Sequence, residues 1–230
     1  MGVSVRPEKL SRLQQKVLKQ RCKDFDAALK EQARASGWRY ARGELFRQSG
    51  DWFLNVFPIL LWERGILARF MIKPMALDPL FWDIAGLPEN NGLPLSFRAQ
   101  GAWVLRPPGQ EENVGLDISD VEQLAREFLL WSTRRADEAL KACSIETMLG
   151  ELENGSLAGH NRAVVTCLHI LAENFESAAR LCQTEDPDVH PLMREGGGFT
   201  THHPDGSMST FMDQARDWIA RKRQNAMSAA

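Results

Sequence analysis

The apolar positions of this chain fall into three regimes: a helical period, then alternation, then a helical period again. Between residues 7 and 36, Leu10, Leu13, Val17, Phe25 and Leu29 recur at spacings near 3.6, with charges between them. That pattern predicts one long helix with these residues on its buried side. Pro7 suits a first helical position and Gly37 a stop just past the end. From Trp38 the period becomes two. Residues 38–42 and 45–47 read as short strands, and Ser49-Gly50 as a tight turn. Residues 51–61 (DWFLNVFPILL) are apolar on both alternating faces, which suits a strand covered on both sides. Pro58 cannot donate to a ladder, so a bulge or an edge is expected there. Glu63-Arg64-Gly65 reads as a turn and Ile66 to Lys73 as the next strand.

Residues 77–86 read as a short helical or irregular turn and residues 88–92 as a loop. Ser96 to Leu105 alternates again, with Phe97, Ala99, Trp103 and Leu105 on one face, and predicts a further strand. Pro107-Pro108-Gly109 closes the sheet region. Ser119 with Glu122 has the spacing of a capping box ahead of a helix over about 120–142. A shorter helix follows Ser144, and a third spans about 161–183. The Gly- and Pro-rich residues 184–206 read as a loop, and a last helix covers about 208–224 with Phe211, Ala215, Trp218 and Ile219 inward.

Strands that cluster together and helices that cluster together define an α+β protein rather than an alternating α/β one. The short turns imply hairpins, hence an antiparallel sheet of about four or five strands after a long N-terminal helix. Residues 1–108 are expected to form a helix-plus-sheet domain and residues 109–230 a helical lobe packed on it.

Composition is that of an ordinary globular chain: 43% hydrophobic, 25% charged, net charge −2 over 230 residues. Such a balance argues against a dedicated nucleic-acid binder. The charge is uneven, however. Residues 1–50 hold 12 Lys/Arg against 5 Asp/Glu, and residues 110–155 hold 11 Asp/Glu against 4 Lys/Arg, an asymmetry that can steer a charged partner. Cys22, Cys143, Cys167 and Cys182 form no CxxC pair and no zinc spacing. With a polar N-terminus and no apolar run of membrane-spanning length, they point to a reducing cytoplasm without membrane association.

No residue set matches a catalytic signature, and no cofactor is expected. His202, His203 and Asp205 are the weak candidates for a metal site or an unfamiliar hydrolase, but lack a third or fourth ligand at zinc spacing. His169 sits in an apolar run and reads as a core histidine; His160 falls at a helix start and His190 in a loop. Gly196-Gly197-Gly198 lacks the Lys-Ser pair of a phosphate loop. Glu111-Glu112 and Glu151 with Glu153 read as solvated carboxylates. The alternative to catalysis is recognition. Arg39, Arg42, Arg47, Arg64, Arg69 and Arg98 mark the sheet region beside several of the seven Trp, and Trp and Arg are the types enriched in binding hot spots. The same residue types, with the basic N-terminal third, also suit a nucleic-acid platform, the second alternative to a protein partner.

Residues 38–105, with the helix end at Gly37-Trp38, the hairpin RYARGELFRQSGDWFLNVFP and the segment IKPMALDPLFWDIAGLPENNGLPLSFRAQGAW, resemble small bacterial proteins of the uncharacterised domain family numbered four-three-zero-four. The resemblance covers about the first half of the chain. It implies no catalytic residues. It does imply a cytoplasmic immunity protein that binds and neutralises a cognate toxin encoded beside it.

Overall fold

In a computed structural model the chain is α+β: a long N-terminal helix, a five-stranded antiparallel sheet and C-terminal helices. The structure describes residues 10–62, 65–115, 118–154, 160–183, 200–202 and 206–228. The elements in order are α1 (Arg12–Ala33), β1 (Arg39–Ala41), β2 (Glu44–Ser49), β3 (Trp52–Leu60), β4 (Ile66–Pro74), α2 (Leu77–Ile84), α3 (Leu95–Gln100), β5 (Gln110–Asn113), α4 (Val121–Ala142), α5 (Ile145–Glu153), α6 (His160–Leu171), α7 (Phe175–Gln183), the small hairpin β6 (Thr200–His202) and β7 (Met208–Thr210), and α8 (Phe211–Ser228). The main sheet runs β1-β2-β3-β4-β5. By contact density the chain divides into two compact units. One holds residues up to Arg47, Val56–Phe70 and Gln110–Ala136; the other holds Gln48–Asn55, Met71–Gly109 and the chain from Asp137. Both units draw chain from either side of residue 108.

In the first unit, α1 starts at a capping box: the Ser11 hydroxyl accepts from the Gln14 amide, and the Ser11 amide donates to the Gln14 side chain. Pro7 lies outside the described residues. The helix buries Phe25, Ala28, Leu29 and Ala33. Leu13 and Val17, expected on that same side, are 73% and 49% exposed. At 100° per residue, Leu13 is rotated about 120° from Phe25, so the apparent apolar stripe winds off the packed side. Phe25 meets Phe128 of α4 edge-on at 5.9 Å, and buried Trp38 donates its indole N–H to Thr133. The helix at residues 121–142 forms as expected, but its cap is Asp120, whose carboxylate accepts from the Gln123 amide, instead of Ser119.

A tight turn at Arg42-Gly43, both at positive φ, links β1 to β2, and Gly50 turns β2 into β3. Pro58 sits inside the central strand, not on an edge. The fifth strand is Gln110–Asn113, paired with β4 so that Arg69 opposes Glu111. Being QEEN, it carries no apolar alternation by which to recognise it.

In the second unit, the segment expected to be a strand over 96–105 is instead α3 followed by irregular chain. Pro94 lies at the N-cap position, and an added Cβ at Gly101 would stand 2.6 Å from the Phe97 carbonyl oxygen, so only glycine fits that exit. The expected single helix over 161–183 is two helices. Glu173 adopts φ +58°, the amides of Glu173 and Asn174 donate to the Ile170 and His169 carbonyls, and the Asn174 side chain then caps α7 through the Ser177 amide. The unit's core joins α2, α5, α6, α7 and α8 through Phe81, Trp82, Leu149, Leu168, Ala178 and Phe211. Trp218, expected inward, is half-buried and donates to Asp83. Residues 200–202 and 208–210, read as loop and helix start, pair as a short hairpin.

Candidate functional site

The arginines of the sheet region do not share one environment. Arg39 is exposed on β1, and Arg42 is exposed at the hairpin corner with φ +51°. Arg47 is half-buried with its guanidinium 4.7 Å over the Trp38 ring. Arg69 is exposed, with Nε and Nη2 donating to one Glu111 oxygen at 3.1 and 2.6 Å. Arg64 lies outside the described residues. Arg98 belongs to the second unit, where it donates to the Met75 carbonyl at 2.8 Å and covers the Trp82 ring. The four in the first unit are therefore divided between a stack, an ion pair and two solvent-facing positions.

Arg98 is part of a buried charge clasp that sequence reading missed. Lys73 and Asp78 are both fully buried. The Lys73 ammonium lies 3.0 and 2.9 Å from the two Asp78 oxygens and donates also to the Arg98 and Leu105 carbonyls at 3.1 and 2.7 Å. Asp78 in turn accepts from the Leu105 amide at 3.1 Å and lies 3.4 Å from the Arg98 guanidinium. Burial pushes the Lys73 ammonium below the usual lysine range, against the pull of Asp78. With all three ammonium donors taken, the clasp satisfies the Arg98 carbonyl and both backbone groups of Leu105. Its only sequence trace was a Lys at the end of an apolar strand and an Asp in the first turn of a short helix.

His169, read as a core histidine, is buried, and its Nε2 lies 2.8 Å from a Glu153 oxygen. Its Nδ1 is buried without a hydrogen-bond partner among the described residues. The side chain of His202, together with His203, Asp205, His190 and residues 196–198, lies outside the described residues. Among the described residues no group of three or more His, Cys, Asp or Glu side chains could hold a metal ion. Burial pushes the Cys167 thiol well up and the Cys182 thiol to about 11, which suits apolar filling. A shallow, open groove of about 480 Å³ runs along α8, lined by Ile84, Gln214, Asp217, Ala220, Arg221 and Gln224.

The strongest surface feature of the first unit is the solvent side of α1. Positions 12, 16, 19, 23, 27, 30 and 34 follow one another at helical spacing opposite the buried side, and six of the seven are cations: Arg12, Lys16, Lys19, Lys23, Lys30 and Arg34. All six are exposed, and none makes an ion pair or side-chain hydrogen bond among the described residues. At 1.5 Å per residue the line is about 33 Å long. No carboxylate occurs between Leu10 and Lys23. Like charges three and four apart cost a helix roughly 0.2–0.5 kcal/mol per pair, a cost carried without acidic neighbours between Arg12 and Lys19, whereas Asp26 and Glu31 lie within a turn of Lys23, Lys30 and Arg34. The charge excess of residues 1–50 pointed to this region, whereas the helix pattern alone did not separate its cation line from its apolar one.

Comparison with protein-family models, with curated proteins and with solved structures gives no match to this chain. Among the described residues no helix is long and apolar enough to cross a membrane.

Proposed function

We propose that this chain is a bacterial cytoplasmic partner-binding protein of the immunity kind, which binds an acidic surface of a cognate toxin and blocks it. The observation that carries the reading is the line of six exposed cations on α1, which make no ion pair among the described residues. Fixed to a helix and free of interleaved carboxylates from Arg12 to Lys23, such a line raises the encounter rate with an acidic protein and rejects basic ones. The resemblance of residues 38–105 to immunity-associated bacterial proteins points the same way. A nucleic-acid partner would use the same cations, but Leu13 and Val17 beside them, exposed and apolar, fit a protein surface better than a phosphate backbone.

Co-expression with the protein encoded by the neighbouring reading frame, followed by size-exclusion chromatography, tests the proposal. A stable complex that dissociates as salt is raised is the expected result. Elution of two separate species at low salt overturns it, as does tight binding of a duplex oligonucleotide in place of the protein.

A further inference from the structure

The first half of α1 differs from the second. From Arg12 to Asp24 no residue is buried, and the buried residues begin at Phe25. This half is held to the rest of its unit by half-buried side chains and by Arg21, which donates to the Ile118 carbonyl at 2.6 Å. Its helical form is secured locally, by the Ser11–Gln14 capping box and by Gln20 donating to Asp24 four residues on. On this outward section Leu13 and Val17 lie one turn apart and exposed, with half-buried Leu10 extending their line. Arg12 and Lys16 flank them. An apolar line bordered on one side by cations, on a preformed helix, is the arrangement by which a helix seats in a groove.

We infer that residues 10–23, the first half of α1 with the two residues before it, are the docking element, inserted lengthwise into an apolar groove of a protein partner whose rim carries carboxylates. The inference rests on the partner-binding reading and names the segment, its mode and the chemistry of the receiving surface. Leu13 and Val17 supply the desolvated anchor. Arg12 and Lys16 meet the acidic rim and set the register, and Lys19 adds to the attraction at longer range. A preformed helix pays little ordering entropy on docking, so two modest side chains suffice as anchors. The exposure of both residues also means that changing them leaves the free fold intact.

The test uses the full chain and the product of the neighbouring reading frame. Leu13→Asp and Val17→Asp are expected to keep the wild-type melting temperature and to weaken binding roughly thirtyfold each, mainly through faster dissociation. Lys16→Glu with Lys19→Glu is expected to slow association and flatten its salt dependence. Leu130→Asp, at another exposed leucine of the same unit, is the control and is expected to bind as wild type. If Leu13→Asp binds as wild type, or if Leu130→Asp is equally damaging, the inference fails while the proposed function stands. If the wild-type chain alone is a dimer that Leu13→Asp converts to a monomer, the apolar line belongs to a second copy and the inference fails. If wild type binds no neighbour product, the proposed function fails and the inference with it.

Discussion

Lys73→Met tests the clasp most sharply. Methionine keeps the length of the lysine stem, so little cavity is created, and what disappears is the ammonium with its contacts to Asp78, Arg98 and Leu105. Asp78 stays buried with one amide donor at 3.1 Å and the Arg98 guanidinium at 3.4 Å. Removing one partner of a buried ion pair costs about 3–5 kcal/mol, because the other charge is left uncompensated. With Arg98 still near, the lower end applies, roughly 3 kcal/mol. With a urea slope of about 3 kcal/mol per molar, the unfolding midpoint should fall by about 1 M. Protection of the Leu105 amide against hydrogen exchange should fall in parallel, since its acceptor is Asp78. Lys73→Met/Asp78→Leu removes the orphaned charge and should be less destabilised than the sum of the single changes by about 1–3 kcal/mol. A loss below about 1 kcal/mol for Lys73→Met, or strict additivity in the double variant, would refute the clasp as an energetically coupled unit.

Other expectations follow from single contacts. The Tyr40 hydroxyl donates to Asp26 at 2.6 Å, and burial with that carboxylate pushes its ionisation upward. Its folded value lies above its unfolded one, so its stabilisation is full below about pH 10 and is lost as pH rises toward the folded value. Tyr40→Phe should therefore cost about 1 kcal/mol at neutral pH, and the gap to wild type in urea melts should narrow above pH 10. A gap that widens there would contradict this sign. Glu173, a non-glycine residue at φ +58°, should yield a protein more stable by up to about 1 kcal/mol as Glu173→Gly, read from the thermal midpoint. A lower midpoint would count against a strained left-handed cap. Iodoacetamide with mass mapping should label half-buried Cys22 and Cys143 before Cys167, which is buried with its thiol pushed well up. Early labelling of Cys167 in native protein would contradict its burial.

Element type was legible wherever the apolar pattern was long. Helices α4 and α8 and strands β3 and β4 follow from Phe128, Phe211, Phe53 and Phe70 falling on their buried faces. Sequence failed where side chains, not pattern, decide. Residues 96–105 alternate like a strand, yet Lys73 and Asp78, more than twenty residues upstream, hold the Arg98 carbonyl and both backbone groups of Leu105. Strand β5 is recruited by Arg69 meeting Glu111 and by Arg135 of α4 meeting Glu112, and carries no hydrophobic alternation. Residues 161–183 read as one helix because their apolar period runs through Glu173-Asn174, and only the Asn N-cap marks the break. The candidate surface was half legible. Charge counts found the basic N-terminal region, but the arginine set placed weight on Arg69 and Arg98, which are occupied by Glu111 and by the clasp. Leu13 and Val17 were assigned to the core, because a winding stripe of leucines and valines looks the same whether a fold or a partner covers it.

The central claim is that the basic side of α1 recognises an acidic protein partner. Its most direct measurement is the association rate of the full chain with the neighbouring gene's product, by stopped flow from roughly 0.05 to 0.3 M salt. The account predicts a rate that falls steeply with salt in wild type and is slow and nearly flat in Lys16→Glu/Lys19→Glu/Lys23→Glu. A rate indifferent to salt, or unchanged by reversing those three charges, would contradict it.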